Sequence, residues 1–209
     1  MLETIAISPE EDYPNEQDWV VKLFEAGLSR FHVRKPGVGD DELETYIQKI
    51  PARWRKRVIP HQAYELVDAL DLGGWHFKDD AVQLRQAEKF RKSRSSSQIL
   101  SRSIHCLDDL NEDMSKWDYV FLSPVFQSIS KRDYGPQWEE AQLTAALRYC
   151  KEAYQTRVYA LGGVDASHIY RCGEMGFDGV ALLGDIWQSR YPLESFLKVK
   201  EALCLPISS

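Results

Sequence analysis

A chain of 209 residues holds one large domain or two small ones, and 44% hydrophobic against 28% charged residues is the balance of a folded protein rather than a disordered one. A formal charge of −6 argues against nucleic acid as the main partner, although a local basic pocket can still take phosphate. No run nears the roughly eighteen apolar residues of a membrane span, and the start, MLETIAISPEED, lacks the cationic and apolar regions of a signal peptide, so the expected location is cytoplasmic, with no membrane partner.

In chain order, short apolar or β-branched runs alternate with amphipathic ones. Strands are expected over 3–8, 29–35, 55–61, 73–78, 97–105, 118–124, 157–163 and 179–184. Helical patterns lie between them, over 15–27, 40–51, 62–73, 79–94, 107–114, 136–153, 165–176 and 191–203. They open on acids or capping residues, carry apolar stripes at period 3.6, and stop at Gly or Pro. No linker divides them, so residues 1–209 read as a single domain. Eight alternating units predict an α/β fold, a single-domain (β/α)8 TIM barrel, with a doubly wound sheet as the second choice. Cys106, Cys150, Cys172 and Cys204 are widely spaced, which predicts free thiols rather than a disulfide or zinc framework.

In such a barrel, function lies at the C-terminal ends of the strands. That rule selects Ser8, the run His32 to Lys35, His61, His76, Lys78, Asp79, Asp80, Ser103, His105, Gly163 and Gly184. It also selects SPVFQSISKRDYGPQW (123–138), far longer than a turn needs. The cations and hydroxyls predict an anionic ligand. ALGGV (160–164) and VALLGD (180–185) put glycine where the last two strands end, the place where barrels often cradle a phosphate on backbone N–H groups. Ser128, Ser130 and Lys131 form a second candidate anion cluster, so two phosphorylated groups are expected. His32, His61 and His76 fall near the ends of three adjacent strands, where they could bind a divalent metal softer than Mg2+ or act as acid/base groups, or be three separate hydrogen-bonded histidines.

The ordered set FHVRK (31–35), GGWHFKDD (73–80), SRSIH (101–105), DYVFLSPVFQSISK (118–131), ALGGV and GFDGVALLGDI (176–186) resembles the thiamine-phosphate synthase and TenI family. The resemblance implies a barrel enzyme, a transferase that couples hydroxymethylpyrimidine diphosphate to thiazole phosphate with release of diphosphate. It implies small phosphorylated substrates and Mg2+ as cofactor, and it leaves a homo-oligomer open. By position, Arg34 and Lys35 would contact diphosphate, with His32 beside them and Ser103 near the pyrimidine. Ser128, Ser130 and Lys131 would close over the diphosphate, and Gly163, Leu183 and Gly184 would hold the thiazole phosphate. The family's metal aspartate after strand three is replaced by Pro60 and His61, which makes His61 a catalytic candidate and leaves Asp79 or Asp80 as the metal carboxylate. A TenI-like thiazole tautomerase, or a non-catalytic barrel that binds thiazole or thiamine phosphate, stands as the alternative.

Overall fold

A computed structural model describes residues 2–127 and 138–204. Eight strands appear where the alternation placed them: β1 (Glu3–Ile7), β2 (Arg30–Val33), β3 (Val58–Pro60), β4 (Gly74–Phe77), β5 (Ile99–Ile104), β6 (Tyr119–Leu122), β7 (Arg157–Leu161) and β8 (Gly179–Leu182). All ladders are parallel, and the order β3-β2-β1-β8-β7-β6-β5-β4 wraps the sheet into a nearly closed barrel. At the remaining seam, Gly73 N–H donates to the Val58 carbonyl at 2.9 Å, and the Tyr64 hydroxyl bridges the His61 and His76 carbonyls at 3.2 and 3.0 Å.

The helices are α1 (Glu16–Glu25), α2 (Asp40–Gln48), α3 (Ala52–Arg55), α4 (Leu66–Ala69), α5 (Ala81–Ser93), α6 (Glu140–Tyr154), α7 (Ile169–Met175), α8 (Gly184–Trp187) and α9 (Pro192–Cys204). Their limits follow local chemistry. Acids in the first turn of α1 and Lys22 in its last turn suit the helix dipole, while Val20, Leu23 and Phe24 form the buried stripe. Asp80 caps α5 by accepting from Val82 and Gln83 N–H, and Glu139 with Gln142 closes a capping box on α6. Two expected helices are shorter: 62–73 reduces to the single turn of α4, and the fifth crossover carries a 3-10 helix, Leu107–Asn111, in place of an α-helix. Among the described residues the four cysteines are free thiols, and no helix is long and apolar enough to cross a membrane.

Side chains separate by the two-residue period of a strand. Ala6, Val33, Phe77, Val120, Leu122, Val158 and Val180 point out to the helices and build the larger core. Ile5, Ile7, Ile59, Tyr119, Phe121, Tyr159 and Ala181 fill the barrel. Its N-terminal end is plugged by charge: Glu3 accepts from Arg30 at 2.6 Å, Arg157 at 2.9 Å and the Tyr159 hydroxyl at 2.8 Å. These donors draw the Glu3 carboxyl below its usual range although burial pushes the other way. Tyr159 fits because Gly179 faces it, and a Cβ there would lie 2.0 Å from the tyrosine ring. With the bottom closed and the middle packed, the barrel opens toward the C-terminal ends of its strands.

Candidate active site

That end holds a cavity of about 600 Å³. Arg34, His61, His76, Lys78, Ser103, Phe121, Gly163, Leu183 and Gly184 line it, so seven of the eight strands, or the loops directly after them, contribute to one cavity. Arg34 is the inward position two residues beyond His32, and its guanidinium is tied to Glu10 of the β1–α1 loop. One carboxylate does not exhaust the five donors of a guanidinium, so Arg34 is held across the mouth with donors to spare for an anion. Lys78, directly after β4, lines the same cavity.

The far wall is backbone. Gly162 and Gly163 both sit at positive φ, +90 and +68, where the chain turns away from β7. The stem of the β6–α6 loop docks on this turn: Val125 N–H donates to the Leu161 carbonyl and Phe126 N–H to the Gly162 carbonyl, each at 3.0 Å. A Cβ on Gly163 would lie 2.2 Å from the Gln127 carbonyl oxygen. Gly163→Ala therefore meets both left-handed strain and a backbone collision. It is expected to weaken binding of a phosphorylated ligand at least tenfold while the barrel still unfolds cooperatively, which titration calorimetry beside a thermal melt would show.

The expected site residues divide by place. Arg34, His61, Ser103, Gly163, Leu183, Gly184, Asp79 and Asp80 all line the cavity. Asp80 also caps α5, and Asp79 lies 3.6 Å from Arg102. His32 sits fully buried beneath the cavity floor. Lys35 departs from expectation. Its ammonium turns away from the cavity, donates to Glu16 at 2.7 Å and to the Glu11 carbonyl at 3.1 Å, and is buried. The reason is alternation: Arg34 faces the barrel interior, so the next residue must face the helices. Burial lifts the Glu16 carboxyl above its usual range, against the hydrogen bonds from Lys35 and Tyr46. Ser128, Ser130 and Lys131 lie outside the described residues.

Beneath the floor is a polar network in an otherwise apolar interior. His32 Nδ1 meets His61 Nε2 at 2.9 Å, and His32 Nε2 meets the Tyr119 hydroxyl at 2.6 Å. His76 is held between Ser101 at 2.9 Å and Ser103 at 3.0 Å. Burial lowers the pKa of all three imidazoles, well below the usual histidine range for His32 and His61 and to about 3 for His76. Nearby cations add to this, Arg34 acting on His61 and His76 and Arg30 on His32. The imidazoles are therefore neutral at pH 7. Tyr119 and Glu10 were not singled out from sequence. Strand alternation could have found Tyr119 as an inward residue of β6, but Glu10 carries no local signal.

The fold and this mouth define an eight-stranded barrel with one cationic wall and one glycine wall at the C-terminal ends of its strands. The family model for thiamine monophosphate synthase matches residues 4–186. The chain belongs to that family. It is 25% identical over 194 residues to the thiamine-phosphate synthase of Geobacillus kaustophilus, covering 89% of this chain and 84% of that one. The thiamine-phosphate synthase of Streptococcus suis is 24% identical over 204 residues, covering 93% and 86%. Among solved structures, thiamine phosphate pyrophosphorylases from Bacteroides thetaiotaomicron and Pyrococcus furiosus share the fold. The first has a TM-score of 0.76 at 23% identity, covering 97% of this chain and 98% of that one. The second has a TM-score of 0.77 at 16% identity, covering 97% and 95%.

Proposed function

We propose that this chain is a thiamine-phosphate synthase, joining hydroxymethylpyrimidine diphosphate to thiazole phosphate and releasing diphosphate. The observation that carries the reading is the two-walled mouth: Arg34 and Lys78 on one side, the Gly162–Gly163 and Leu183–Gly184 turns on the other. Two anionic groups can then be held apart with the reacting atoms between them. The coupling needs no protein nucleophile. It needs the leaving diphosphate stabilised and the acceptor aligned, which is electrostatic and positional work. Arg34 and Lys78 supply charge to the diphosphate, Ser103 offers a hydroxyl to the pyrimidine substrate, and the glycine turns let backbone approach the thiazole phosphate. Phe121 and Leu161 give the middle of the cavity an apolar lining that limits water. Ser128, Ser130 and Lys131 are proposed to complete the diphosphate side.

Mg2+ commonly takes one or two carboxylates together with substrate phosphates and water. Asp79 and Asp80 at the rim meet that requirement and are the residues that would hold it; bound there, the ion would neutralise charge on the leaving diphosphate. One observation supports a second reading, a phosphate-binding barrel without coupling activity or with a metal-independent tautomerase activity: both aspartates already serve other partners, the α5 cap and Arg102.

Thiamine phosphate formation from the two substrates with Mg2+ tests the proposal. Arg34→Ala is expected to lower kcat/KM by about 10- to 100-fold, the worth of one charge-assisted hydrogen bond to phosphate. Absence of product from the unaltered protein at any Mg2+ or Mn2+ concentration overturns the synthase reading.

A further inference from the structure

The coupling roles proposed for Arg34, Lys78, Ser103 and the glycine turns assign no step to the three buried histidines. We propose that His32, His61 and His76 form a binding site for one first-row transition-metal dication of the Zn2+ type, with its remaining coordination position open to the cavity. The site does not depend on the synthase reading.

Each imidazole offers one nitrogen to a triangle whose members all lie within 4.8 Å of one another. Nitrogens bound to Zn2+ at about 2.0–2.1 Å stand about 3.0–3.5 Å apart. The His32 Nδ1 to His61 Nε2 separation of 2.9 Å is already close to that value. Closing on a shared ion needs a movement of roughly 1 Å by the third ring. The strands place the rings: His32 is in β2, His76 in β4 and His61 directly follows β3, and the His61 and His76 rings stack with centroids 4.0 Å apart.

Bound histidines usually have their other nitrogen oriented by a hydrogen-bonding group. Here His32 ligating through Nδ1 keeps Tyr119 on Nε2, and His76 ligating through Nε2 keeps Ser101 on Nδ1 while releasing Ser103. Burial keeps the rings unprotonated, the state a metal requires. Three neutral nitrogen donors select Zn2+, Co2+, Ni2+ or Cu2+ over Mg2+, which wants oxygen. Three protein ligands with an open fourth position is the arrangement of a zinc site that takes water or substrate. His61 and His76 line the cavity, so the open position faces it.

The ligand triad brings no negative charge, and Arg34 and Lys78 face the same space. A bare dication is therefore repelled, and an anion in the cavity relieves that repulsion. Metal and inorganic phosphate should bind cooperatively, each tightening the other by the same factor.

The test uses the full chain, stripped with a chelator, loaded with Co2+ or Zn2+ and passed through a desalting column. The expected result is one metal ion per chain by elemental analysis. Co2+ should show the visible absorption of a low-coordinate nitrogen-ligated ion, and phosphate should tighten its binding at least tenfold. His61→Ala and His76→Asn should each weaken binding at least 100-fold, with folding checked by circular dichroism. If a variant fails to fold, the Co2+ spectrum of the unaltered protein decides. Less than a tenth of an equivalent retained, an aquo-like spectrum, or a full equivalent kept by the His61→Ala/His76→Asn protein would overturn the site. Because these are binding readouts, they remain informative if the protein makes no thiamine phosphate.

Discussion

Lys35→Met is expected to destabilise the fold by about 3–5 kcal/mol, because it leaves the Glu16 carboxylate buried without its cation. Lys35 and Glu16 are 2% and 3% exposed, and their 2.7 Å contact is shielded by α1 and α2, with Tyr46 also donating to Glu16. Removing both charges in Lys35→Met/Glu16→Leu should recover most of the loss, because two apolar side chains of similar volume replace a desolvated pair. Urea unfolding of the two single variants and the double variant measures this as a coupling energy. The experiment also separates two roles for Lys35. Family resemblance puts it on the diphosphate, whereas the structure puts it behind the barrel wall. A Lys35→Met protein of unchanged stability that has lost 100-fold in kcat/KM would restore the substrate-binding role.

Acid should destabilise the chelator-treated protein at a pH above the usual range of carboxylates. In the unfolded chain, His32, His61 and His76 take up protons near pH 6.5. In the folded protein burial holds all three pKa values lower, for His76 at about 3. Below pH 6.5 the unfolded state therefore binds more protons, and stability falls as pH falls. Each histidine contributes about 1.4 kcal/mol between pH 7.5 and 5.5, so the three together contribute about 4 kcal/mol. That is a large share of the roughly 5–15 kcal/mol of a typical domain. Urea midpoints at the two pH values provide the measurement, and His76→Asn should remove about a third of the difference. Equal midpoints would mean that water or a charged partner reaches the cluster. The Glu3 plug, whose carboxyl is drawn below its usual range, loses its contribution only at lower pH, so the two effects separate.

The eight strands and most of the helices were legible because they rest on short-range rules. A strand that is buried on both faces reads as a short run of Val, Ile and aromatic residues, as in Tyr119–Leu122, and a helix end reads as Asp80 or Gly27 whatever the rest of the chain does. The barrel followed from counting alternations, and its polar mouth from the rule that strand ends carry function. Arg34, His61, Ser103, Gly163 and Gly184 were found that way, Leu183 came from the family resemblance, and all of them meet at one cavity. The fifth crossover misled because LDDLNEDM carries acids and leucines at a helical spacing too short to nucleate more than the 3-10 turn of Leu107–Asn111.

What the tertiary structure alone decided are pairings between residues far apart in sequence. Lys35 and Glu16 are nineteen positions apart, and nothing local says that one neutralises the other. Glu10 crossing to Arg34, and Tyr119 reaching His32 over eighty-seven positions, depend on how the sheet curves. The three histidines appear in the sequence as three strand ends. Only barrel closure, which brings β2, β3 and β4 around a common axis, stacks His61 on His76, sets His32 edge-on to both and lowers all three pKa values together. Alternation along a strand is a property of the chain, but distance across a barrel is set by twist and closure, which no short stretch of sequence encodes.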